Sequence, residues 1–251
     1  MQKSVYKYLQ VQRTLRIVFA TLSIYLLAYM FTAFGVLLGC VAEVVNWQSG
    51  IRGGTVIWGR LMFWLVGRNP RVIGAERRDP GKPYLVVSNH ASMFDIPALM
   101  AAVPGIAIMG RAYLTRIPGF GQLLKILHFV PIDTRSPRSA HAALRQAAER
   151  IRGGTTLAIF AEGTRTDSGR VQALKRGFVT VLRESGADLL PVYVRGTFAL
   201  QPRGKRLLDP REPISVTMGA PVANRDLAAL DDAQIMKSVQ SMLEHLGETI
   251  S

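Results

Sequence analysis

Between Arg16 and Glu43 the chain carries no charge, and the stretch from Ile17 to Ala42 is almost wholly apolar. A hydrocarbon core of about 30 Å needs roughly 20 such residues, so the pattern predicts a helix that enters a membrane. Gly35 and Gly39 are the expected break points at which this helix dips into one leaflet and returns. A second apolar stretch, Thr55 to Gly67, is too short to cross and contains Arg60, but Trp58, Phe63 and Trp64 suit a helix lying at the interface. Residues 1–67 therefore read as an N-terminal, membrane-embedded helical pair. After Arg68 the apolar runs become short and are separated by turn residues. Tyr84–Ser88, Ile106–Met109, Phe129–Ile132, Thr155–Phe160, Leu189–Val194 and Ile214–Met218 predict strands. Ile96–Ala102, Gly121–Leu127, Ser139–Arg152, Phe178–Ser185 and Asp231–Leu246 predict helices between and after them. This alternation predicts an α/β fold over residues 68–251, with a mainly parallel sheet flanked by helices.

Charge narrows the class. The 251-residue chain has a formal net charge of +14, which suits a polyanionic partner: nucleic acid, an anionic membrane surface or a phosphorylated substrate. The arginines gather at predicted strand ends instead of along one helix, which argues against a nucleic-acid partner. Lys3, Lys7, Arg13 and Arg16 precede the apolar run without an acid among them, so the N-terminus is expected on the cytoplasmic side. A helix that returns then puts the protein on the inner (cytoplasmic) membrane with its second domain facing the cytosol. A single straight span with an external domain is the alternative. Cys40 is the only cysteine, which excludes an internal disulfide and a cysteine-based zinc site. Leu37-Leu38-Gly39-Cys40 is faintly like a lipoprotein cleavage box, but the apolar run before it is too long for a signal peptide.

The chemistry is carried by Asn89-His90-Ala91-Ser92-Met93-Phe94-Asp95, which follows the predicted strand Tyr84–Ser88. Five residues along a helix amount to about 500°, so His90 and Asp95 would diverge if both were helical. His90 is therefore expected in the strand-to-helix turn, with Asp95 reaching back from the first helical turn to fix the imidazole tautomer. The bland alternative makes Asp95 an N-cap ahead of Pro97, a residue tolerated in a first helical turn. A second group, Glu162-Gly163-Thr164-Arg165, follows the most apolar strand, at an equivalent strand end where α/β sheets gather ligands. Gly163 allows close backbone approach and Arg165 offers a planar fork matched to phosphate oxygens. Arg111 and Arg116, around Tyr113, and Lys175 add cations near other strand ends.

Asn89 to Asp95 resembles the NHxxxxD motif, and Phe160-Ala161-Glu162-Gly163-Thr164-Arg165-Thr166 the FPEGTRS motif, of the 1-acylglycerol-3-phosphate acyltransferases. Between them, Arg111 to Gly121 is similar to that family's K-K-E-L-F-K-I-P stretch, and Ile132-Asp133-Thr134-Arg135 to its I-D-R stretch. Leu190-Pro191-Val192 resembles its last motif. The likeness covers roughly Tyr84 to Gly219. Ala161 stands where proline is usual, Tyr113 where glutamate is usual, and Thr134 is an insertion; the middle departures bear on the acceptor. The resemblance implies that His90 and Asp95 are catalytic and that Arg165, Glu162, Gly163, Thr164, Arg111, Arg116 and Lys175 contact substrate. It implies a lysophospholipid acceptor, acyl-coenzyme A or acyl carrier protein as donor co-substrate, and no bound cofactor or metal. Rival readings are the same chemistry on glycerol-3-phosphate or lyso-ornithine lipid, a serine hydrolase, and a non-enzymatic module binding anionic lipid or nucleic acid. No Gly-x-Ser-x-Gly elbow marks a hydrolase nucleophile.

Overall fold

The computed structural model describes residues 2–248. Among them, seven strands form one sheet: β1 (Arg71–Ile73), β2 (Tyr84–Ser88), β3 (Ala107–Arg111), β4 (Val130–Ile132), β5 (Leu157–Phe160), β6 (Asp188–Arg195) and β7 (Ser215–Met218). Their order is β1-β7-β6-β2-β5-β3-β4. The block from β6 to β4 is parallel throughout, β7 runs antiparallel to β6, and β1 joins β7 in parallel. The helices are α1 (Gln2–Val44), α2 (Gln48–Leu65), α3 (Asp95–Ala102), α4 (Phe120–Ile126), α5 (Pro137–Arg152), α6 (Gly177–Ser185), α7 (Thr197–Leu200), α8 (Asn224–Ala228) and α9 (Asp232–Glu248). The fold is the expected α/β class, and each expected strand and helix after residue 68 is present with ends displaced by at most two residues. The three-residue edge strand β1 and the short helices α7 and α8 are additions.

β2 is buried at every position, because a central strand of a parallel block is covered on both faces and so reads as an unbroken apolar run. Its side chains alternate between two cores. Tyr84 and Val86 point to one with Leu99, Leu124 and Val192, and Leu85 and Val87 to the other with Ala147, Phe178 and Val239. Helices α2, α3 and α4 cover the first face, and α5, α6 and α9 the second. The chain leaves β2 over β5 through α3 to β3, and leaves β5 over β2 through α6 to β6, on opposite faces. The carboxyl ends of β2 and β5 are thus a topological switch point, where such sheets open a crevice.

The N-terminal segment departs from expectation: α2 starts at Gln48, ahead of the expected Thr55, and the break in the first helix lies elsewhere. α1 runs unbroken through Gly35 and Gly39, since an apolar helix keeps its backbone bonds internal, and Gly39 instead admits Ile126 of α4: a Cβ there would come within 3.0 Å of Ile126 Cδ1. The reversal comes later, at Asn46, whose φ of 52° is left-handed. Ile17–Val44 is long and apolar enough to cross a membrane, with only 6% of its most apolar window buried. The side chains of Lys3, Lys7, Arg13 and Arg16 lie outside the described ones. One stripe of α1 faces the rest of the protein: Thr21 Oγ1 accepts from Leu208 N, Tyr25 Oη donates to Arg206 O (2.8 Å), Tyr29 Oη donates to Pro118 O, and Thr32 Oγ1 accepts from Trp58 Nε1 (3.1 Å). α2 crosses α3 at Gly59, where a Cβ would lie 2.5 Å from Pro97 O. Phe63 and Val66 beyond it enter the same core as α3 and β6.

Candidate active site

His90 sits in the turn after β2 and Asp95 opens α3, as the spacing requires. His90 Nδ1 lies 2.8 Å from Asp95 Oδ2, and Asp95 is fully buried. The N-cap position of α3 belongs to Phe94 and makes no side-chain cap, so Asp95 is committed to the turn instead. Its Oδ2 also accepts from Ala91 N (2.7 Å) and Ser92 N (2.8 Å), and Oδ1 accepts from Thr197 Oγ1 at 2.6 Å. A buried carboxylate held through both oxygens is fixed in orientation, and it holds the imidazole in one tautomer with Nδ1–H toward Oδ2. Among the described residues nothing bonds Nε2, and the His90 side chain keeps 18% of its surface open. The ring stacks on Phe160 with centroids 4.0 Å apart.

The backbone of His90 is held from both sides. His90 N donates to Glu162 Oε1 (2.9 Å) and His90 O accepts from Thr166 N (2.8 Å), stitching the turn to the loop after β5. On the other side, Asn89 Nδ2 donates to Val194 O and its Oδ1 accepts from Val194 N, continuing the β2–β6 ladder by one side chain. Glu162 is 2% exposed. Burial pushes its carboxyl above the usual glutamate value, opposed by the bonds from His90 N and from Gln172, whose N and Nε2 both donate to Oε2.

The remaining expected residues fall into two groups. Gly163 (φ 72°), Thr164 and Arg165 lie in the loop beside His90, and Lys175 lies along it: a Cβ on Gly163 would meet Lys175 Nζ at 3.0 Å. Arg165 is half-buried and has no hydrogen bond or ion pair among the described residues. Arg111, at the end of β3, and Arg116, in the 3-10 turn that follows, are exposed and one strand further out. Among the described residues no hydrogen bond or ion pair joins them to the His90 turn; Arg116 instead adds to the field of Arg135, which holds Asp133 down at about 2. Three residues that fix the site have no counterpart in the sequence reading. These are Thr197, which follows Gly196 at the end of β6, Gln172, and Asn89 in its ladder role.

A serine hydrolase would need a hydroxyl on His90 Nε2. The nearby Ser92 is fully buried and donates to Gln201 O at 2.9 Å. Among the described residues no group of three His, Cys, Asp or Glu side chains is arranged to hold a metal ion.

Comparison with known proteins identifies the family. A family model described as Acyltransferase matches residues 69–195. The 1-acyl-sn-glycerol-3-phosphate acyltransferase of Cocos nucifera is 27% identical over 196 residues, 77% of this chain and 63% of that protein. The protein of the same name from Limnanthes alba is 30% identical over 172 residues, 68% and 60% of the two chains. That from Borreliella burgdorferi is 30% identical over 140 residues, 55% and 56%. The chain thus spans less than two thirds of the length of these relatives. The crystal structure of the 1-acyl-sn-glycerophosphate (LPA) acyltransferase PlsC from Thermotoga maritima superposes with a TM-score of 0.83 at 25% identity, over 94% of this chain and 97% of that one.

Proposed function

Because the chain belongs to the acyltransferase family, we propose that it moves a fatty acyl group from a thioester to the free hydroxyl of 1-acyl-sn-glycerol-3-phosphate, forming phosphatidic acid for phospholipid synthesis. The observation that carries this reading is the 2.8 Å contact of His90 Nδ1 with a fully buried Asp95, which leaves Nε2 open toward solvent as a base. In the proposed step Nε2 takes the hydroxyl proton as that oxygen attacks the thioester carbon. The resulting imidazolium, held by Asp95, returns the proton to the departing thiolate as the C–S bond breaks. The acceptor supplies the nucleophile, so no enzyme serine or cysteine is needed. Arg165, with no hydrogen-bond or ion-pair partner among the described residues, is matched to the acceptor's phosphate, and Lys175 beside Gly163 adds a second cation. Holding the phosphate there places the hydroxyl at His90 and converts binding into orientation. Glu162 acts one step back, by fixing the His90 backbone. Arg111 and Arg116 line the approach of an acidic donor, coenzyme A or acyl carrier protein.

The stripe on α1 supports the membrane arrangement that belongs to this reading. Thr21 to Gly39 touch the α/β part over 18 residues, about 27 Å at 1.5 Å per residue, close to a whole hydrocarbon thickness. A helix crossing the bilayer over that length would drag the loops at Pro118 and Arg206 into the hydrocarbon. α1 instead lies along the membrane face with α2, and residues 68–251 stay on one side, which we assign to the cytosolic face of the inner membrane. The test is direct: purified protein is offered lysophosphatidate, glycerol-3-phosphate and lyso-ornithine lipid, each with acyl-coenzyme A and with acyl carrier protein, and products are separated by mass. Phosphatidate as the dominant product supports the assignment. Preferential acylation of either other acceptor replaces it.

A further inference from the structure

Between α7 and β7 the chain makes a closed loop. Asp209 N donates to Leu200 O at 2.9 Å, so residues 201–208 leave and return at one point, and Leu200 and Leu208 are buried as its two feet. A compact loop with joined ends is held by its own packing and is a common carrier of function. Its tip reads Arg203-Gly204-Lys205-Arg206-Leu207, three cations and a leucine without an acid, and all five are exposed; Leu207 leaves 46% of its surface in solvent. Lys205 and Arg206 have no ion-pair partner among the described residues. Among the described residues Arg203 pairs only with Asp167 at 3.4 Å, an exposed pair that contributes little.

The loop is fastened at two places that matter. Toward the membrane helix, Tyr25 Oη donates to Arg206 O, Gln201 Nε2 donates to Tyr25 Oη, and Leu208 N donates to Thr21 Oγ1. Toward the site, Ser92 Oγ donates to Gln201 O (2.9 Å) and Gln201 N donates to Thr197 O (3.0 Å), Thr197 being the residue that holds Asp95. The cations therefore sit at the edge of an exposed apolar helix, on a loop whose root, Gln201, is two hydrogen bonds from the catalytic carboxylate. We propose that this loop is a contact for an anionic phospholipid surface, its three cations meeting headgroup phosphates and Leu207 entering the acyl boundary, so that a negatively charged bilayer sets the height of the His90 turn above the membrane. A polybasic segment beside an apolar anchor gains attraction to anionic headgroups additively, on the order of fivefold in partition per cation. The proposal rests on the membrane placement argued above, and the experiment separates the two.

In a Cys40→Ser background an environment-sensitive fluorophore is attached at Leu207→Cys, at Leu26→Cys on the lipid-facing side of α1, or at Glu244→Cys on α9 as a reference. Each full-length protein is reconstituted into vesicles of phosphatidylcholine alone or mixed with phosphatidylglycerol. The Leu26 label should be shielded from an aqueous quencher in both. The Leu207 label should be shielded only with phosphatidylglycerol, should be released by salt, and should lose that response roughly a hundredfold in the Arg203→Gln, Lys205→Gln, Arg206→Gln variant. Arg203→Lys with Arg206→Lys keeps the charges and should keep the response. A Leu207 label as accessible as the Glu244 label in anionic vesicles, or equally shielded in neutral ones, overturns the loop assignment while leaving the placement standing. A Leu26 label open to the quencher in both overturns the placement and the loop with it.

Discussion

Thr197→Val removes one hydroxyl from a fully buried position and puts a methyl in its place, so no cavity opens. What is lost is the 2.6 Å bond to Asp95 Oδ1, the only bond that oxygen makes among the described residues, while Oδ2 keeps its three. A hydrogen bond to a charged group is worth roughly 1.5 to 3 kcal/mol, and the abandoned oxygen belongs to a fully buried carboxylate. Global stability should fall by about that amount, read from the denaturant midpoint. Catalysis should fall as well, because the carboxylate is then free to turn about Oδ2 and the positive charge developing on His90 meets a less fixed partner. If most of the lost interaction is expressed in the transition state, kcat drops roughly tenfold to a hundredfold. KM should stay, since Thr197 reaches no substrate. Thr197→Ser restores the hydroxyl and gives up only a methyl, about 1 kcal/mol of burial, so it should recover kcat while remaining somewhat less stable. A folded Thr197→Val enzyme with wild-type kcat would refute the reasoning, and so would a Thr197→Ser enzyme as slow as Thr197→Val.

Three further outcomes are expected. Arg165→Lys should cost about tenfold to a hundredfold in kcat/KM on lysophosphatidate, since an ammonium lacks the guanidinium fork, and should barely change an acceptor without phosphate; equal losses on both would make Arg165 structural. Burial raises the Glu162 carboxyl above its ordinary 4.5, so the folded protein holds that proton more tightly than the unfolded chain, and stability should decline as pH rises from about 4.5 through the raised value and then level off; unfolding titrations should show this decline flattened in Glu162→Gln, and an unchanged profile would locate the proton elsewhere. Deleting residues 1–67 strips Phe63 and Val66 from the core and uncovers α3 at Pro97 and Ala101, so the remainder should aggregate; light scattering showing a soluble, active monomer would contradict this.

Much of the site was legible in the sequence because its chemistry is local. His90 and Asp95 are five residues apart, and their divergence on a helix already required a turn between them. The α/β class followed from unbroken apolar runs such as Tyr84–Val87, which only a strand covered on both faces needs. Thr197 was out of reach for the opposite reason: its partner Asp95 lies 102 residues away, and adjacency came from β6 pairing beside β2. The same holds for Asn89 and Val194. Gly35 and Gly39 were misread as break points because glycine weakens helices in water, whereas an apolar helix with no competing water keeps its bonds. The signal missed in that segment was the polar stripe Thr21, Tyr25, Tyr29 and Thr32, whose three-to-four-residue spacing marks the face of α1 that meets the protein. β1, three residues with an exposed arginine at its start, gives no periodicity to read.

The central claim is that His90 Nε2 is the base that activates the acceptor hydroxyl, with no acyl-enzyme formed. It is tested most directly by quenching single turnovers of wild-type protein and His90→Ala with a saturating acyl thioester and lysophosphatidate, then weighing both the lipid product and the intact protein. The account predicts phosphatidate at full rate from the wild type, a loss of about 10² to 10⁴ in the folded variant, and an unmodified protein mass at every time point. Near wild-type phosphatidate formation by folded His90→Ala, or an acylated protein that appears and decays at the rate of product formation, would contradict it.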